Sequence, residues 1–202
     1  MQSKINIANN ALMRIGNTRF IESLTSAQNE AIVINRVFDA VRQRLIRRLP
    51  WPFARQVVTL GLTTKEIPGW RFCYRYPSQA LRIFNVCGTE DLRWEWWPLP
   101  GECPAYEMQK VDGTEVVATN KVQAKALIVT DVDDTTDLDP LFEDALIWAL
   151  ACEVAAPLAG SSQLVQTATD AAARAYDVAR AASLSEREEY PAPIPEFVRA
   201  RL

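Results

Sequence analysis

The spacing of apolar residues changes period twice along this chain. Over residues 3–48 and again over 139–188, apolar residues recur at steps of three and four, the repeat of an amphipathic helix. Between these stretches, over residues 54–132, short runs alternate with a period of two and are broken by Gly, Pro and Asp-Gly, the pattern of strands and turns.

The first helix is predicted over residues 3–15, with Ser3 as N-cap, a stripe of Ile5, Ala8, Leu12 and Ile15, and a stop at Gly16-Asn17. A loop over 17–25 should tuck Phe20, Ile21 and Leu24 against the body. The second helix is expected to be capped by Ser26. Its stripe is Ala27, Ala31, Ile34, Phe38, Val41, Leu45 and Leu49, and Pro50 ends it because the residue before a proline avoids helical geometry. Its other faces carry Arg36, Arg42, Arg44, Arg47 and Arg48, of which the last four form a candidate basic surface near the negative end of the helix dipole. Trp51-Pro52-Phe53 follows as a stiff aromatic wedge, read either as a packed corner or as a partner contact.

Strands are predicted over 54–60, 70–76, 81–87 and 124–130, with a hairpin of 106–111 and 114–117 around Asp112-Gly113, a pair suited to a type I′ turn. Over 81–87, Leu81, Ile83, Asn85 and Cys87 should share one face and Arg82, Phe84 and Val86 the other. Residues 88–104 hold Trp94, Trp96 and Trp97, which read as core or as an interface anchor, since buried Trp often dominates binding energy. The acidic run 131–139 lacks the glycine and closing glutamate of a calcium loop, so it reads as a solvated loop that caps the next helix through Asp137 or Asp139.

The third helix is predicted over about 140–156, ended by Pro157 and Gly160. The fourth covers about 162–188, with Leu164, Ala168, Ala171, Ala175, Val178 and Ala182 as its stripe. The last segment, YPAPIPEFVRARL, has three prolines between 191 and 195 that favour an extended conformation. Phe197, Val198, Arg199, Arg201 and Leu202 at its end are candidate docking residues, either for a partner or for the chain's own body. Together these elements define an α+β fold: a four-helix bundle-like body built from residues 1–50 and 137–190, an inserted antiparallel β domain at 51–136, and an extended arm at 191–202.

Composition narrows the chemistry. With 202 residues and 49% hydrophobic residues the chain can bury a core unaided, and no apolar run is long enough to span a bilayer. The opening residues read as a helix rather than a secretion signal, which predicts that the protein stays in the cytoplasm of the cell that makes it. Cysteines 73, 87, 103 and 152 match no zinc spacing and are expected to stay reduced. Histidine is absent, which removes the commonest general base and every triad built on it. An enzyme would need a carboxylate pair such as Asp133 or Asp134 with Glu143, and nothing in the sequence positions a nucleophile beside it. The expectation is therefore no catalysis, no cofactor and no metal. Charge is lopsided: residues 1–60 carry a net +6, residues 61–120 a net −2 and residues 121–202 a net −7. Such asymmetry predicts distinct surfaces and head-to-side contact between copies.

Four stretches, in order, carry a resemblance to a known family. They are Ile7-Ala8-Asn9-Asn10-Ala11-Leu12 with Arg14-Ile15-Gly16; Arg47-Arg48-Leu49-Pro50-Trp51-Pro52-Phe53-Ala54; Tyr74-Arg75-Tyr76-Pro77 with Leu81-Arg82-Ile83; and the final helix pair. In these the chain resembles the head–tail adaptor proteins of short-tailed bacteriophages, the group that includes tail tubular protein A. Leu49 and Pro52 stand where that family often has histidine and asparagine. The resemblance implies a structural virion protein at the head–tail junction. It would form a ring, typically of twelve copies, between the portal and the tail tube or nozzle, and leave a channel for DNA. An extended C-terminal arm would reach along the portal. Another neck or tail-completion protein is the alternative of similar size and symmetry. A DNA-binding packaging factor would instead use the arginines of residues 42–48 on phosphates.

Overall fold

The computed structural model describes residues 3–88 and 106–186. Trp94, Trp96 and Trp97, and the arm with Phe197, Val198, Arg199, Arg201 and Leu202, lie outside the described residues. The fold is mixed α+β, with four helices and two small antiparallel three-stranded sheets.

Helix α1 runs Lys4–Arg14. The Ser3 hydroxyl accepts a hydrogen bond from the Asn6 amide at 3.3 Å, and Gly16 takes the left-handed conformation (φ 76°) that closes the last turn. Its buried face is Ile7, Ala8, Ala11 and Leu12, with Ile15 just beyond the helix; Ile5 lies at the margin. In the following loop Ile21 is buried and Leu24 half-buried, but Phe20 is exposed, contrary to expectation. The Asn9 side chain sets this loop: its amide donates to the Ile21 carbonyl and its carbonyl accepts from the Ile21 amide, both at 2.9 Å.

Helix α2 spans Asn29–Ile46, starting later than the expected Ser26 cap. Gln28 occupies the N-cap position without a side-chain bond, and the Ser26 hydroxyl is buried without a partner. Ala27 therefore falls before the helix and is exposed, while Ala31, Ile34, Phe38, Val41, Leu45 and Leu49 are buried as the stripe predicts.

Helix α3, Pro140–Ala159, begins with the Asp139 carboxylate accepting from the amides of Leu141 (2.8 Å) and Phe142 (3.1 Å), with Pro140 in the first turn. Pro157 does not stop it. Proline here forfeits the bond to the Glu153 carbonyl and crowds that oxygen, yet the helix continues to Ala159, where left-handed Gly160 (φ 64°) ends it. Helix α4 covers Ser162–Ser185. Its buried line is Ala168, Ala171, Ala179 and Ser183, so Leu164 and Val178 of the expected stripe are exposed. Helix α3 contacts α1, α2 and α4, and one apolar cluster draws on all four helices.

The first sheet has the order β1 (Arg55–Thr59), β6 (Lys125–Thr130), β3 (Ala80–Cys87). The second has β2 (Phe72–Arg75), β5 (Thr114–Thr119), β4 (Tyr106–Val111). The hairpin of β4 and β5 turns through Asp112 (φ 47°) and Gly113 (φ 78°), both left-handed as a type I′ turn requires. Strand β3 departs from simple alternation. Its pairing with β6 slips between Ala80 and Arg82 and between Ile83 and Asn85, and each slip exchanges the faces of the residues beyond it. As a result Ile83 and Val86 join a cluster shared with Tyr74 and Val117 of the second sheet, while Leu81 and Phe84 turn to the helical core. The layers are thus helices, first sheet, second sheet. The outer face of the second sheet, with Cys73, Val116 and Ala118, is covered by Ile67 and Trp70 from the loop before β2. The β segment begins and finishes side by side: the Thr130 amide donates to the Ala54 carbonyl at 2.9 Å, and the Thr130 hydroxyl meets the same oxygen at 3.3 Å.

Candidate interaction surfaces

The last two turns of α2 were expected to form a basic surface from Arg42, Arg44, Arg47 and Arg48. Arg42 does not belong to it, being only 1% exposed. It forks onto the carboxylate of Asp131 and donates to the Val132 carbonyl, and Asp39 and Asp133 each lie 3.2 Å away. Lys4 of α1 pairs with Asp133, and Gln43 donates to Asp131 at 2.7 Å. The bond from Lys4 holds the Asp133 carboxyl below the usual carboxylate range, with the charges of Lys4 and Arg42 adding to it. The acidic run after β6 is therefore partly a structural clasp rather than a wholly solvated loop. Sequence reasoning missed this because a buried arginine on a helix carries the same letter as an exposed one. The available signal was the position of Arg42 beside Val41 and Leu45 on the apolar stripe.

The remaining arginines are largely engaged at short range. Arg44 meets Glu153 at 2.6 Å, and Arg48 lies over the Tyr176 ring, 5.0 Å from its centroid. Arg36, Arg44, Arg47 and Arg48 all remain exposed.

Trp51 is 1% exposed and forms the corner that the wedge pattern allowed. Its indole N–H donates to the Leu45 carbonyl at 3.1 Å, and its ring meets Phe142 edge-on at 4.9 Å and Tyr176 at 6.2 Å. Phe53 is half-buried, stacked near Trp51 at 6.2 Å and edge-on to Phe142 at 4.9 Å. These aromatics lock the exit of α2 to α3 and α4.

Two grooves border the start of α3. The first, about 360 Å³, lies between the Trp51-Pro52-Phe53 corner, residues 136–139 and Leu141, and the last turn of α4 at Ala182, Ser183 and Glu186. The second, about 690 Å³, lies between α1 and α3 and is lined by Met13, Arg14, Pro140, Glu143, Asp144 and Ile147 among others. Leu138 lines both. Glu143 is nearly buried, and desolvation pushes its carboxyl up from the ordinary value. Arg14 meets Asp144 at 3.2 Å and also lies over the Trp148 ring.

Among the described residues no group of His, Cys, Asp and Glu could hold a metal ion, and no helix is long and apolar enough to cross a membrane. Neither Asp133 nor Asp134 comes together with Glu143 in a described contact: Asp133 belongs to the Arg42 clasp, and Asp134 caps the short 3-10 turn Thr135–Asp137 through the Thr136 amide. Cys73, Cys87 and Cys152 form no disulfide, while Cys103 lies outside the described residues. No protein-family model matches the chain, and no curated protein matches it.

Proposed function

We propose that this chain is a structural adaptor of a phage head–tail junction. Copies would form a closed ring that joins the portal to the tail tube or nozzle and leaves a channel for DNA. The helices act as one four-helix bundle-like body, a reading supported by the single apolar cluster that draws on all four. The observation that carries the functional reading is where the four family-like stretches fall. The Asn9 motif pins the first loop, the Leu49-Pro50-Trp51 motif makes the aromatic corner, Tyr76-Pro77 leads from β2 into β3, and the last helix pair completes the core. Each stretch does structural work at a joint, as expected of a part whose task is shape rather than chemistry.

Part of the charge asymmetry is met within the chain, where Lys4, Arg14, Arg42 and Arg44 pair with Asp133, Asp144, Asp131 and Glu153; what remains exposed, Arg36 and Arg47 among it, is available for heterologous contact, and such contacts generate rings when the rotation closes. Arg42 is buried on Asp131, and the exposed Arg44 and Arg48 have partners within the chain, an arrangement that suits a passage DNA traverses without being held better than a packaging factor that grips it. The test is the mass of the complex formed with purified portal. A multiple set by the portal, twelve in the expected case, supports the reading; a single bound copy overturns it.

A further inference from the structure

The groove between the Trp51 corner and the end of α4 is open among the described residues. Its apolar walls come from Phe53, Leu138, Leu141 and Ala182, with Leu141 40% exposed, and Asp137, Asp139 and Glu186 stand at its rim. Within it Ser183 is only 8% exposed, and its hydroxyl oxygen is buried without a hydrogen-bond partner. A buried hydroxyl left unsatisfied is costly, so the site is short of an acceptor. Glu186 lines the same groove and is the last described residue, from which the chain continues for sixteen residues.

That continuation has the chemistry the groove lacks. Pro191, Pro193 and Pro195 favour an extended helix whose carbonyls are bare acceptors. Proline-rich segments of this kind seat on aromatic-lined grooves at low entropic cost. Beyond them come Phe197 and Val198, then Arg199 and Arg201. The second groove, which shares Leu138 with the first, offers Met13 and Ile147 as apolar walls and the carboxylates of Glu143 and of Asp144, the latter shared with Arg14. From Pro195 to Phe197 the chain advances at most about 7 Å, so the crossing falls at Leu138, where the two grooves meet.

We infer that the arm of this chain docks on its own body, with residues 191–195 in the groove at Ser183 and residues 197–201 across the second groove. A backbone carbonyl of the proline segment accepts from the Ser183 hydroxyl. The segment is tethered at the mouth of its site, so its effective concentration is in the millimolar range and weak contacts suffice. The inference concerns the free chain and stands whether or not the ring reading holds. Where that reading holds as well, the arm must leave these grooves to reach a portal.

The test is a photo-crosslinking side chain in place of Ile194 in the full-length protein, with mixed isotope-labelled and unlabelled chains and mass spectrometry of the products. The expected result is adducts concentrated on residues 51–53, 136–141 and 182–186 of the same chain. Leu141→Arg, at a position 40% exposed and with the fold checked by its melting curve, should lower that yield about fivefold, the equivalent of roughly 1 kcal/mol of docking energy. Adducts scattered over the surface, adducts in mixed-isotope pairs (a neighbour's arm in the groove), or a yield unchanged by Leu141→Arg would each overturn the inference.

Discussion

Arg42 of α2 grips Asp131, at the end of the last strand, with both prongs of its guanidinium across 89 residues of chain. The pair joins the N-terminal helices to the segment that leads into α3. The two partners are unequal: the Arg42 side chain is 2% exposed and that of Asp131 35%.

This inequality predicts an asymmetric response to mutation. Removing the arginine leaves carboxylates that water can still reach, so Arg42→Met is expected to cost about 1.5–3 kcal/mol, the range for hydrogen bonds to charged groups. Removing Asp131 takes the forked partner from a buried cation and leaves it only the more exposed Asp39 and Asp133, so Asp131→Leu is expected to cost more than Arg42→Met, up to about 3–5 kcal/mol. Urea titrations of both variants and of the double variant check this. The double variant should lose less than the sum, because the two sites form one network.

Trp51 gives a second prediction. Trp51→Phe keeps an aromatic ring in the corner but deprives the Leu45 carbonyl of its indole donor, a loss of about 1–3 kcal/mol. Trp51→Ala also opens a cavity against Phe142 and Tyr176 and is expected to cost about 3–5 kcal/mol. A shift in denaturation midpoint with unchanged slope would identify both as native-state effects.

The third prediction concerns pH. Burial raises the Glu143 carboxyl, so its folded pKa lies above the unfolded one. An ionised Glu143 then weakens the fold at neutral pH, and the penalty fades as pH falls through the folded value and is gone below the unfolded one. Glu143→Gln should therefore be more stable than the parent near pH 7 and indistinguishable from it in strong acid. Asp133 has the opposite sign, since Lys4 lowers its carboxyl: its contribution is present above the unfolded pKa and is lost as pH falls through the folded one. Melting curves of Glu143→Gln and Asp133→Asn from pH 7 downward separate the two groups.

The helices were legible in sequence because their spacing is set by the same contacts that bury them. Ala31, Ile34, Phe38, Val41 and Leu45 read as one stripe and pack as one. Strand existence was legible too, since Asp112-Gly113 admits few alternatives to a tight hairpin. What sequence missed depends on partners distant in the chain. The slips of β3 against β6 are a property of the pair, invisible in β3 alone, so the faces of Phe84 and Val86 could not be read from alternation. The burial of Arg42 depends on aspartates nearly ninety positions away.

The hydrogen bonds that join Thr130 to Ala54 have a consequence for how such a protein can change over generations. A segment whose two ends lie together is attached as if at a single socket. Sheets of other sizes, or with other rim loops, can be exchanged at that socket without rerouting the helices, provided that the replacement offers side chains to match Leu81, Phe84 and Val129 against the helical core. Recombination confined to residues 55–129 would then reshape one end of the molecule while inheriting the other unchanged.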